Sequence, residues 1–221
     1  MIEGKLIVFG AGGHGKVVAE TAKQAGWTVV GFVDDVIASG TMVDSSHHIL
    51  GNRDWLSSLP RTEYQIALGI GDNCSRGSVA SFLDSQGFSA AIVISPNAVV
   101  SPSAQIGSGT VVFPGAIINA TAAVGKGTII NSGAIVEHDA KVGDYAHLSP
   151  NSTLGGGSSV GDFTHVGIGC SIIPLVSVGS RSILGAGSVA TRRIPDNVVA
   201  FGVPARVRRS LTARIMPPTL R

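Results

Sequence analysis

The side chains best suited to moving a proton at neutral pH are His138 and Asp139, set in Glu137-His138-Asp139. Imidazole titrates near neutrality, and a carboxylate that reaches its other ring nitrogen fixes the tautomer and stabilises the imidazolium. That chemistry suits a general base that relieves an attacking nucleophile of its proton. A second concentration of chemistry lies near the start, in Gly10-Ala11-Gly12-Gly13-His14-Gly15, with Asp34-Asp35 about twenty residues on. Glycines at this spacing bring backbone N–H groups close to a diphosphate, and the helix N-terminus behind them favours its charge. His14 and Lys16 stand at the start of that helix, within reach of phosphate or sugar. Gly69-Ile70-Gly71-Asp72-Asn73 ends a later strand, where open α/β sheets place ligand contacts.

His138 sits inside a repeat. From Ile94 to Leu184 every sixth residue is Ile, Leu or Val, and the residue four places after each is small, Cys170 among them. A period of six matches neither a helix nor a continued two-residue alternation. It predicts a short strand plus a corner, three of which close a triangular coil with the aliphatic residue inward. Coils stacked at β-sheet spacing then give roughly 25 Å of prism. In this register His138 takes the third place of its hexad, at an outward corner, and Gly156 lies one coil along at the same corner. The spacing predicts the Gly156 N–H as a donor to an oxyanion formed beside His138, and it stacks His147 on His165. Residues 94–189 carry seven charged side chains: Lys126, Glu137, Asp139, Lys141, Asp144, Asp162 and Arg181. Faces so poor in charge are expected to be covered by copies of the chain, and a three-sided prism suggests a homotrimer.

Residues 1–93 differ in kind and hold seven of the eleven aromatic residues. A strand at Leu6–Phe9, a helix from His14 to Ala25 and a strand from Trp27 to Val33 make a βαβ unit. Further strands are expected near Gln65–Leu68 and Ala91–Val93, with a helix from Ser75 to Gln86 between them. The expected organisation is a small Rossmann-like α/β domain with a parallel sheet over 1–93, then an all-β parallel β-helix of hexapeptide repeats with a C-terminal tail over 94–221. A dinucleotide fold needs two mononucleotide halves, so one nucleotide fits better than NAD.

A net charge of +2 gives no broad field for nucleic acid or an anionic membrane. Two cysteines suit a reducing compartment, and no apolar stretch is long enough to span a bilayer, so a cytoplasmic protein without membrane insertion is expected. Arg192 and Arg193 directly follow the last coil and head a basic cluster with Arg206, Arg208 and Arg209 that suits phosphate groups; Arg214 and Arg221 read as a solvated tail. His47 and His48 lie in a polar loop without the spacing of a metal site, and no metal is expected.

Together, Gly12-Gly13-His14-Gly15, Asp34-Asp35, Gly71-Asp72-Asn73, Glu137-His138-Asp139, Tyr145-Ala146-His147 and Gly202-Val203-Pro204-Ala205-Arg206 resemble the bacterial nucleotide-sugar N-acetyltransferases that acetylate a 4-amino-4,6-dideoxy sugar, and the likeness spans nearly the whole chain. The resemblance implies a left-handed β-helix, a trimer, and acetyl-CoA bound in the groove between neighbouring prisms. It also implies a nucleotide-sugar substrate, UDP- or GDP-linked, whose C4 amine attacks the thioester directly. By position it implies His138 as general base and Asp139 as its acidic partner, where many relatives resemble one another in carrying Glu. Substrate contacts are implied at Gly12, Gly13, His14, Asp34, Asp35 and Gly71, and acetyl-CoA contacts at His147, Ile168 and Ala186, the last a position where relatives often have Gly. Two other readings compete: O-acetylation of a sialic-acid-like sugar, as in similar two-domain proteins, and a non-catalytic hexapeptide-repeat scaffold.

Overall fold

A computed structural model describes residues 4–211; Arg214 and Arg221 lie outside the described residues. Lys5–Phe9 (β1), Thr28–Val33 (β2), Ile49–Gly51 (β3) and Tyr64–Leu68 (β4) form a parallel sheet in the order β3-β2-β1-β4. Helices Gly13–Gln24 (α1), Arg53–Ser57 (α2) and Asn73–Gln86 (α3) connect its strands. The continuous apolar run of β1 is the mark of a strand covered on both sides. Leu6 and Val8 pack with Val18, Ala19 and Ala22 of α1, whereas Ile7 and Phe9 pack with Val79, Ala80 and Leu83 of α3.

Two features of this unit differ from the sequence expectation. Strand β3 and helix α2 escape the hydrophobic pattern because each is too short to establish a period. The strand expected at Ala91–Val93 is divided between two sheets. The Ile66 N–H donates to Ser89 O at 3.1 Å and the Ala91 N–H to Ile66 O at 2.9 Å, which extends the α/β sheet past β4. Val93–Ile94 then already pairs with Val111–Val112 of the repeat, since Ile94 is the first residue in the six-residue phase.

From Val93–Ile94 to Val189–Ala190 the chain forms two-residue strands that recur every six residues. Each pairs in parallel with the strand eighteen residues away, as Ile130 does with Leu148 and Val136 with Leu154. Three parallel sheets result, the faces of a triangular prism. The docking face runs through Val93–Ile94, Val111–Val112, Ile129–Ile130, His147–Leu148, His165–Val166 and Ile183–Leu184. The second face contains Ile135–Val136 and Thr153–Leu154, and the third Lys141–Val142 and Ser159–Val160. The second residue of each strand points inward, so Ile130, Val136, Leu148, Leu154 and Val166 are fully buried; each contributes about 2 kcal/mol. Small residues fill the corners, and Cys170 is buried there with its thiol on the Gly185 carbonyl.

From Gly109 to Gly187 each corner turns on a left-handed residue three places after an inward aliphatic one: glycine at many, but also Thr121, Asp139, Tyr145, Phe163 and Leu175. The α/β unit sits on the docking face, where Val111, Phe113 and Ile129 join its apolar core. Away from that contact the prism leaves Val99, Ile168, Ile173 and Leu175 exposed.

Candidate active site

His138 occupies the corner between the second and third faces, opposite the docking face. Its Nδ1 lies 2.8 Å from Asp139 Oδ2, and both side chains are about two-thirds exposed. Asp139 adopts φ 60°, a conformation that Asp tolerates better than most residues. The Thr121 hydroxyl, one coil earlier, donates to Asp139 Oδ1 at 2.6 Å and fixes the carboxylate. In the same way Asn119 donates to Glu137 Oε2 at 2.9 Å, and that oxygen also receives the His138 N–H at 3.3 Å. The hydrogen bond to Asp139, with the Asp139 and Glu137 charges, raises the His138 pKa, while the bond to His138 holds Asp139 below the usual carboxylate range. The shorter Asp thus reaches the ring, and Nε2 is left without a hydrogen-bond partner among the described residues.

Beneath that ring lies Gly156. A Cβ there would come 2.6 Å from His138 Nε2, so the imidazole occupies the space a side chain would take. The Gly157 N–H donates to His138 O and the Leu175 N–H to Gly156 O, whereas the Gly156 N–H has no acceptor among the described residues. A proton acceptor and a free backbone donor therefore stand side by side.

The glycine-rich turn divides by role. A Cβ at Gly15 would meet Gly10 O at 1.9 Å, and one at Gly10 would meet Gly69 O at 2.7 Å, so these glycines allow helix, turn and strand to touch. At Gly12 and Gly13 a Cβ would meet nothing within 4 Å. Gly12 caps α1 without a side-chain bond and no acidic residue occupies the first turn, which leaves the helix N-terminus open to an anion. Asp34 is engaged in holding this turn: Oδ2 accepts the Ala11 N–H at 2.9 Å and Oδ1 the Val36 and Ile37 N–H groups. Asp35 is bound by Arg53 through Nε at 2.9 Å and Nη2 at 2.6 Å, and these hydrogen bonds lower its pKa.

His14 departs from its expected place at the open helix end. Its ring turns into the junction with the prism, edge-type against the Phe113 ring at 5.4 Å and 6.4 Å from that of His147. Its Nε2 is buried without a hydrogen-bond partner among the described residues, and burial, aided by the Arg76 charge, pushes its pKa down to about 4. His147 accepts from Asn131 at 3.1 Å and packs edge-on against His165 at 4.8 Å, the pair that coil register places together. Burial holds both of these imidazoles below their ordinary value as well.

The remaining sites lie elsewhere on the prism. Exposed Ile168 and Ala186 mark the corner between the docking and second faces, and their N–H groups have no acceptor among the described residues. Arg192 and Arg193 are exposed, with Arg192 on the His138 corner two coils past Gly156 after Pro174. One chain therefore brings Gly12, Gly13, His14, Asp34, Asp35, Gly71 and His147 to the docking side, and places His138, Asp139 and Gly156 on the opposite corner. Arg53, Asn119, Thr121, Asn131 and Arg76 were missed. Subtracting eighteen from Glu137 and Asp139 would have found Asn119 and Thr121; the arginines carry no comparable signal. His47 is spent on Asp44, 2.8 Å away. Among the described residues no helix is long and apolar enough to cross a membrane.

Comparison with known proteins adds to this geometry. Residues 5–83 match the PglD N-terminal domain and residues 121–156 the bacterial transferase hexapeptide. PerB from Caulobacter crescentus, solved in complex with CoA and GDP-perosamine, is 39% identical over 93% of this chain and 98% of its own, with a TM-score of 0.88. The chain belongs to the nucleotide-sugar N-acetyltransferases of the left-handed β-helix type. Another member of this family, the acetyltransferase domain of PglB from Neisseria gonorrhoeae in complex with acetyl coenzyme A, is 36% identical, covers 92% of this chain and 98% of its own, and has a TM-score of 0.86. A galactoside O-acetyltransferase of Lactococcus lactis shares 51% identity over 43 residues, and that match spans about a fifth of either protein.

Proposed function

We propose that the protein transfers the acetyl group of acetyl-CoA to the C4 amine of a UDP- or GDP-linked 4-amino-4,6-dideoxy sugar, with His138 as general base. The observation that carries this is the exposed His138–Asp139 pair beside the free Gly156 N–H. In this reading Nε2 takes the proton of the amine as nitrogen attacks the thioester carbon, and the Gly156 N–H receives the charge that develops on oxygen. As the carbon–sulfur bond breaks, the imidazolium returns the proton to the leaving thiolate. Asp139 holds the ring throughout.

The open N–H groups at Gly12 and Gly13 suit the substrate diphosphate. Free N–H groups of Ile168 and Ala186, one coil apart, suit the amide oxygens of the pantetheine arm, and Arg192 and Arg193 suit CoA phosphates. Because cradle and base lie on opposite sides of one prism, the reading places each reaction centre between two copies of a homotrimer. PerB's complex with CoA and GDP-perosamine supports the substrate class.

Thiol release from acetyl-CoA, measured against UDP-, GDP- and dTDP-linked 4-amino sugars, tests this. Release with one of them and a product stable to mild base is expected. A base-labile product would indicate an ester and O-acetylation, and no release with any sugar would favour a scaffold.

A further inference from the structure

Arg76 is fully buried, and none of its acceptors among the described residues is a carboxylate. A guanidinium in such a place is costly unless every N–H is satisfied. Nε donates to Gly127 O at 2.6 Å, Nη1 to Ile70 O and Gly71 O at 3.0 Å each, and Nη2 to Asn73 Oδ1 and Tyr145 O at 2.8 Å and to Ala146 O at 3.2 Å. Three of these acceptors belong to the α/β unit and three to the prism. Two adjoin the candidate site: Gly71 is itself one of the expected substrate contacts, and Ala146 precedes His147 in the chain. The surrounding contacts are close. A Cβ at Gly77, next on α3, would meet the Phe163 ring at 2.8 Å, and Asn73 donates to Phe163 O at 3.0 Å.

We propose that Arg76 is a positioning residue that sets the angle at which the nucleotide-binding unit docks on the prism, and with it the place of the sugar amine relative to the acetyl group. Planar geometry and five N–H donors allow it to tie both halves at once; lysine, with three donors on a flexible stem, cannot. The inference rests on the acetyltransferase reading for its kinetic consequence and on the contacts alone for its structural one.

The charge gives a second readout. Burial lowers Arg76 itself to about 10, so it stays cationic near neutrality. The charged and titratable groups around it are Asp72, Cys74, Tyr145, His14, His147 and His165, and its cation depresses all three imidazoles.

The test uses the full chain as R76K, R76Q and Asn73→Ala, with kcat and KM for GDP-perosamine and acetyl-CoA corrected for folded fraction, and NMR titration of the histidine rings. For both arginine variants kcat should fall about ten- to a hundredfold while either KM stays within about threefold, as misalignment requires. R76Q should raise the His147 midpoint and R76K should leave it unchanged. Asn73→Ala, which keeps the arginine, should lower kcat less and move no midpoint. Unchanged kcat in every folded variant, loss confined to KM, or a His147 midpoint indifferent to R76Q would overturn the proposal. Inactive wild-type protein would count against the acetyltransferase reading, and the NMR comparison would still decide whether the Arg76 contacts exist.

Discussion

The backbone at Gly156 lies directly against the imidazole of His138, with 2.6 Å between the ring's Nε2 and the place a Cβ would occupy. Two consequences are separable. Gly156→Ala keeps the N–H and displaces the exposed ring from its place on Asp139, so stability should change by less than about 1 kcal/mol while kcat falls roughly tenfold. Gly156→Pro also removes the N–H, at a corner where the same column already holds Pro102 and Pro174. If the donor serves an oxyanion, Pro should cost about a further hundredfold in kcat. Equal losses in the two variants, measured by steady-state kinetics, would exclude that role.

His138→Ala should lower kcat by about 10²- to 10⁴-fold, the range of a lost general base. The KM for each substrate should change little, because neither the cradle nor the coil corner at Ile168 and Ala186 is touched. The unfolding temperature should also hold, since the side chain is exposed.

The pH profile tests Asp139. A base works unprotonated, so kcat/KM should rise with pH through the His138 pKa, which the hydrogen bond to Asp139 places above the ordinary imidazole value. Asp139→Asn removes the anion that favours imidazolium. The acid limb should therefore move to lower pH while the plateau falls, because the tautomer is no longer held. Thr121→Val frees the carboxylate from its second bond and should produce a smaller plateau loss.

The two kinds of glycine in the N-terminal turn should behave differently. Gly13→Ala adds a methyl that meets nothing, so thermal stability should hold while the KM for the nucleotide sugar rises about tenfold or more. Gly15→Ala drives a Cβ into Gly10 O and should destabilise by several kcal/mol, on the scale of large overpacking effects. Calorimetry beside kinetics separates the two.

Much of this was legible in the sequence because a six-residue period fixes which side chains face inward and which share a corner. The stacking of His147 on His165 and the closeness of His138 and Gly156 followed from adding eighteen. Periodicity is silent about how two units meet. The bonds of Asp34 to the Gly-rich turn and of Asp35 to Arg53, and the turn of the His14 ring toward the prism, depend on loop closure and docking. Arg76 stayed invisible for the same reason: its six acceptors come from three separate segments. The strand expected at Ala91–Val93 was divided because local pattern does not say which of two adjoining sheets a segment will join.

Whether base and cradle come from different copies can be measured by coexpressing His138→Ala with Gly13→Asp, whose carboxylate suits the helix N-terminus but repels a diphosphate. Each variant alone should be nearly inactive. If every centre takes its base from one protomer and its cradle from a neighbour, random mixing should restore roughly a quarter of wild-type thiol release, as half of the bases and half of the cradles remain intact. Coassembled variants with no recovered activity would contradict a reaction centre shared between protomers.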